Sequence, residues 1–170
     1  MQQILQFDAD DPDGLANGMQ ALDMHSSLII EGYRYWESRR QGRPMPARTD
    51  LDPLVDVPRL VANLMLFDVQ CAPLDFRWRL VGSRVRQYLW KDYTGDWFSK
   101  DPKYNNPESA IWQSLALVEK NHQPVLLRPA YIGPNEDFTH VENVLMPLSV
   151  DRDGWGMQMI FIDFIAKKRR

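Results

Sequence analysis

The loop Arg48-Thr49-Asp50-Leu51-Asp52 sets one guanidinium and two carboxylates within five residues. That spacing permits bidentate, charge-assisted hydrogen bonds. Two readings follow. Arg48, Asp50 and Asp52 form a structural polar clamp at the exit of a helix, with Arg79 supplying a second fork, or they touch a ligand or partner. His140 and Glu142, two apart on a strand and therefore same-sided, form the most suggestive acid–base pair. The three histidines (His25, His122, His140) show no H-x-x-x-H spacing, and Cys71 is the single thiol, so no metal ligand set is read. No intrachain disulfide can form, which leans toward a reducing compartment. No Cys-His or Ser-His-Asp signature marks a nucleophile, and the nine glycines build no phosphate-cradling loop.

Six tryptophans are many for 170 residues. Trp78 and Trp112 fall on strand and helix faces that turn inward. Trp97 flanks an irregular, aromatic-rich middle segment. Together they are candidate walls of a ligand pocket, against the plainer reading that they fill a core.

These side chains need elements to place them. Residues 1–20 are Asp- and Gly-rich without periodicity and read as a flexible lead-in. The spacing Leu22, Ile29, Trp36, with Tyr33 in the same stripe, predicts a helix from about Asp23 to Gln41, stopped by Gly42, Pro44 and Pro46. Asp52-Pro53 is a cap followed by a first-turn proline. Strands are expected over 64–70 and 76–81, where Phe76, Trp78 and Leu80 face one way and Arg77, Arg79 and Val81 the other. Ser83 caps a short helix. Asn106-Pro107 opens a second long one, with Ile111, Leu115, Val118 and His122 as its buried stripe. Three more strands follow, at 124–132, 138–148 and 155–165. The last is apolar on both faces, as in a central strand covered on both sides or by a partner.

A hairpin, a helical crossover and a three-stranded meander make an α+β fold: a five-stranded antiparallel sheet with helices on one face and an extra N-terminal helix. The segments are a lead-in (1–20), the N-terminal helix (21–43), the core (44–166) and a basic tail (167–170).

The formal charge of −3 argues against general attraction to nucleic acid. The distribution is uneven: six acidic and no basic residues up to Glu31, then Arg34, Arg39, Arg40, Arg43 and Arg48. No apolar run approaches the ~20 residues of a membrane span, and the acidic start lacks a secretory pattern, so cytoplasmic residence is expected.

The residues themselves resemble a known group. Tyr33-x-Tyr35-Trp36, Met45-Pro46-Ala47-Arg48-x-Asp50-x-Asp52-Pro53, Phe76-Arg77-Trp78-Arg79-Leu80-Val81-Gly82, Thr94-Gly95, Pro124-Val125-Leu126-Leu127 and Leu145-Met146-Pro147-Leu148 follow one another as in a bacterial PAS-like subfamily of mostly stand-alone domains. The resemblance covers about residues 24–165. One departure is Trp90, where that pattern has a glycine. The resemblance implies a PAS fold and a non-enzymatic sensory or regulatory role in signal transduction through protein contacts. It also points to a homodimer, for which the stripe Ile29, Tyr33 and Trp36 is the natural seam. It implies no ligand by itself, and a small-molecule gate stays an open expectation. Cys71 lacks the Asn-Cys-Arg setting of the flavin-adduct branch, and no cofactor is assigned. No kinase, cyclase or helix-turn-helix pattern accompanies the core, so output is expected through an unidentified signalling protein. Two other classes compete. One is a cavity-bearing α+β enzyme using Asp50, His140 or Glu142; the other is a nucleic-acid module using the Arg34–Arg48 cluster and the basic tail.

Overall fold

Ser26 opens the first helix because its hydroxyl accepts the Ile29 amide, one of the donors a helix start leaves unpaired. The expected start near Asp23 therefore shifts to α1 (Ser27–Arg40), and Gln41 closes it in the left-handed conformation at φ 52°. The computed structural model describes residues 4–7 and 22–169. In chain order the further elements are β1 (Leu5–Phe7), α2 (Pro53–Asp56), β2 (Leu64–Cys71), β3 (Leu74–Val81), α3 (Ser83–Gln87), α4 (Ala110–Asn121), β4 (Val125–Leu127), β5 (Phe138–Leu148) and β6 (Trp155–Ala166).

The strands form one sheet in the order β1-β4-β5-β6-β2-β3. The hairpin β2–β3 and the meander β4–β5–β6 are antiparallel and join through β6 and β2. The expected five-stranded antiparallel sheet is therefore present. A sixth strand is added from within the segment read as a lead-in: β1 pairs parallel to β4, Leu5 opposite Val125. Residues 8–20 of that segment lie outside the described residues, as does Arg170 of the basic tail. At the opposite edge, the segment 95–97 pairs with β3. Trp78 exchanges both backbone hydrogen bonds with it, donating to Asp96 and accepting from Gly95.

Both faces of the sheet are covered. The inner face packs Met65, Phe67, Phe76, Trp78 and Ile160 under α4 and the irregular 88–104 segment. The outer face packs Leu64, Leu66, Met157, Met159 and Phe161 under α1. This explains why β6 is apolar on both sides: Met159 and Phe161 meet α1, while Ile160 and Ile162 point the other way.

Two local readings change. Ser109, not Asn106, caps α4 by accepting from the Trp112 amide; Asn106 instead accepts the Glu108 amide in a turn just before it. His122 is then not in the buried stripe but is the exposed C-cap residue at φ 50°. In β3 the alternation breaks after Trp78. Phe67 opposes Trp78 but Leu66 opposes Leu80, so one extra residue, Arg79, is accommodated in a bulge. Leu80 turns outward and is 38% exposed, while Val81 is buried on the inner face, the reverse of the simple alternation.

Candidate functional site

The inner layer is an aromatic cluster built around Phe98. The short 3-10 turn at 98–100 places this fully buried ring against Phe67, Phe76, Trp78, Tyr104 and Trp112 at centroid distances of 5.1–6.1 Å. Asp75 holds that turn to β3: its carboxylate accepts from the Ser99 amide and hydroxyl as well as from the Phe76 amide. Trp78 and Trp112 are thus brought into one cluster, as expected, but its rings fill the space between them. Among the described clefts none is lined by either. Trp97 is not part of the cluster. It lies half-buried beside Trp155 at 6.0 Å, with the Arg77 guanidinium 5.2 Å over its ring. Trp90 is 58% exposed, with Lys103 over its ring, after a short helix that ends at Gln87.

The outer layer is α1. Ile29, Tyr33 and Trp36 are buried against the chain's own sheet, so as the structure stands they do not present a seam to another molecule. Gly32 belongs to the same stripe and lets the helix approach closely. A Cβ there would lie 2.4 Å from Cδ2 of Phe161. Two polar anchors fix the helix. The Trp36 indole donates to the Pro147 carbonyl at 2.8 Å, and the Ser26 amide donates to Glu142 at 2.7 Å. Glu142 also accepts from Arg128 and is only 6% exposed. Its expected companion, His140, contacts Thr139 instead. The carboxylate of the postulated acid–base pair is thus engaged in docking a helix.

The expected clamp is assembled differently. Asp50 pairs with Arg43 at 2.7 Å and accepts from the Ala47 amide, which hold its carboxyl below the usual range. Arg48 donates to the Leu51 carbonyl. Asp52 and Arg79 are exposed and make no ion pair among the described residues. The reason is geometric: in the 3-10 turn 48–50, residues two apart project in different directions. Other polar ties were not readable from spacing. Among them are Asp68–Arg77 at 2.6 Å, the Asp75–Ser99 latch, and Asp56, which accepts from the Tyr35 hydroxyl at 2.7 Å and pairs with Arg39 at 2.9 Å. The two ion pairs among these join β2 to β3 and α1 to α2.

Of the basic cluster, Arg39, Arg40 and Arg43 are paired with Asp56, Glu37 and Asp50. Among the described residues no three His, Cys, Asp or Glu side chains converge as for a metal ion. Among them, too, no helix is long and apolar enough to cross a membrane.

A cleft of about 500 Å³ opens on the outer face between the loop 48–54 and the β2–β3 hairpin. Leu51, Leu54, Val61, Leu64, Leu66 and the outturned Leu80 line it. Sequence reasoning missed it, because Leu80 reads as an inward residue.

No curated protein matches the chain. Among solved structures, a fungal LOV-domain photoreceptor is 18% identical over 85% of this chain and 99% of that one, with a TM-score of 0.45. The family model described as "PAS domain" matches residues 24–158, from just before α1 into β6. Most of the chain lies within that match, and the chain belongs to the PAS domain family.

Proposed function

We propose that this chain is a non-enzymatic sensory or regulatory domain that signals through protein contacts, and that the docking of α1 on the outer face is what changes. The observation that carries this is the arrangement of β6, one strand with a different layer on each side. Phe161 meets Gly32 of α1, while Gln158 on the opposite face donates to the Leu115 carbonyl of α4. A shift of the inner aromatic layer therefore bears on the seat of α1. A ligand or partner preferring one arrangement of the 88–104 segment would move the population of docked α1 by its differential affinity. A small aromatic ligand would use the surroundings of Trp78 and Trp112, opening a packed cluster rather than filling a vacant one. Ile29, Tyr33 and Trp36 would serve as a seam only in a state where α1 has left the sheet.

The test is native mass spectrometry of the chain purified from its own host, combined with hydrogen exchange of α1. A retained small molecule or co-purifying protein, with altered α1 protection upon its removal, supports the reading. A bare chain with neither, and α1 amides insensitive to host extract, ends it.

A further inference from the structure

We propose that the cleft between the 48–54 loop and the β2–β3 hairpin binds a free amino acid with an apolar side chain. The charges in its lining carry this. Of the three carboxylates on the loop and α2, the fold itself consumes two. Asp50 pairs with Arg43 and accepts the Ala47 amide, while Asp56 accepts the Tyr35 hydroxyl and pairs with Arg39. Asp52 is left over. It stands at the N-cap of α2, where a carboxylate ordinarily accepts a helix amide. Its side chain makes no such bond, and no ion pair among the described residues. Arg48 is left over in the same way. It gives one N–H to the Leu51 carbonyl at 3.0 Å and makes no ion pair among the described residues. Arg48 and Asp52 are the only charged side chains that line the cleft. They share it without pairing with each other.

The rest of the wall is apolar. Leu51, Val61, Leu64 and Leu66 line it, together with Leu80, which the bulge at Arg79 turns outward. One fixed cation and one fixed anion beside a leucine wall complement a zwitterion with a hydrocarbon body. The α-carboxylate fits the Arg48 fork, which can meet two oxygens at once. The α-ammonium fits Asp52, and the side chain enters the leucine wall. A fatty carboxylate would satisfy Arg48 but meet the like charge of Asp52, and an apolar amine would fail at Arg48. The volume of about 500 Å³ falls in the range of about 300–1,000 Å³ typical of small-ligand sites. The loop is also braced beforehand: the Arg48 amide donates to the Ser149 carbonyl at 2.9 Å, and the ties of Asp56 hold α2. Little ordering is then needed on binding.

The experiment is an amide NMR titration of the full chain with L-leucine to about 10 mM, the window of millimolar binding. Saturable shifts at residues 48–54, Val61 and Leu80 are expected, with a Kd of about 1 mM or tighter. L-leucinamide lacks the carboxylate and N-acetyl-L-leucine lacks the ammonium. Each should bind about tenfold or more weakly, the worth of one charge-assisted hydrogen bond. Glycine, which offers the head alone, should not saturate. Arg48→Gln should erase the preference for leucine over leucinamide, and Asp52→Asn the preference over N-acetyl-leucine. Asp52 is exposed and Arg48 half-buried, and unchanged spectra away from the loop check that both variants fold. Asp151, which lines an adjoining cleft that shares Arg48, is the control, and Asp151→Asn should leave binding as it was. No saturable shift overturns the proposal, as does equal affinity for leucine and its two capped forms, or for glycine. Variants that leave both preferences intact, or loss of binding in Asp151→Asn, overturn it too. None of these outcomes depends on whether α1 undocks or the inner aromatic layer opens.

Discussion

Replacing Gly32 by alanine sets two known effects against each other, and the structure decides between them. In an exposed helix the change stabilises, because alanine is favoured over glycine by about 1 kcal/mol. Here the new Cβ would lie 2.4 Å from Cδ2 and 2.8 Å from Cγ of Phe161, a fully buried ring. Ordinary carbon contacts begin roughly 1 Å further out. Phe161 is pinned between Val144 of β5 and Leu64 of β2, so the ring cannot simply swing aside. Overpacking of this kind costs about 1–3 kcal/mol. The strain also lifts α1 and loosens Ile29, Tyr33 and Trp36 together. We expect a net loss of about 1–2 kcal/mol, read as a lower urea midpoint at unchanged slope. Hydrogen exchange should speed up across Ile30–Trp36 more than across α4. Shortening the opposing ring relieves the clash, so Gly32→Ala with Phe161→Leu should cost less than the sum of the single changes. A Gly32→Ala chain more stable than the parent would refute the close seating of α1 and the argument built on it.

Phe98→Ala removes the ring at the centre of the inner cluster and should cost about 3–5 kcal/mol, measured by urea denaturation. Trp36→Phe leaves the buried Pro147 carbonyl without its donor and should cost about 1–3 kcal/mol, again with α1 amides exchanging faster. Burial first, then Glu37, pushes the Tyr33 hydroxyl up to about 12, and burial also raises Tyr35, Tyr93 and Tyr104. All four keep their protons longer when folded than the unfolded value of about 10. Stability is therefore intact below about pH 10 and is lost as pH rises through the folded values. Tyrosinate absorbance followed alongside unfolding checks this; titration of all four near 10 in the folded chain would contradict it.

What could be read from the chain alone was whatever depends on local period. The α1 stripe was legible because Ile29, Tyr33 and Trp36 recur at helical spacing, and so was the order of strands and helices. Gly32 was not, since a glycine inside an apolar stripe carries no signal of close approach until the facing ring is known. Leu80 and Val81 exchanged faces because a bulge is a property of the pairing with β2, not of β3 by itself. The clamp is assembled from other partners for a related reason. Neighbours in sequence suggested Arg48 with Asp50, whereas Asp50 turns to Arg43, and Glu142 finds its donor at Ser26, 116 positions away. β1 escaped notice because three residues are too few to show a period.

The sheet's margins are the three-residue β1 on one side and β3, partly paired with the 95–97 segment, on the other. Unpaired strand margins recruit foreign backbone, whether a client peptide adding a rung or another molecule starting an aggregate. One margin is only three residues long and the other is partly covered, so backbone zippering has little length to work with here. Such margins favour recognition by side chains on the broad surfaces, where a single substitution can tune or abolish the encounter.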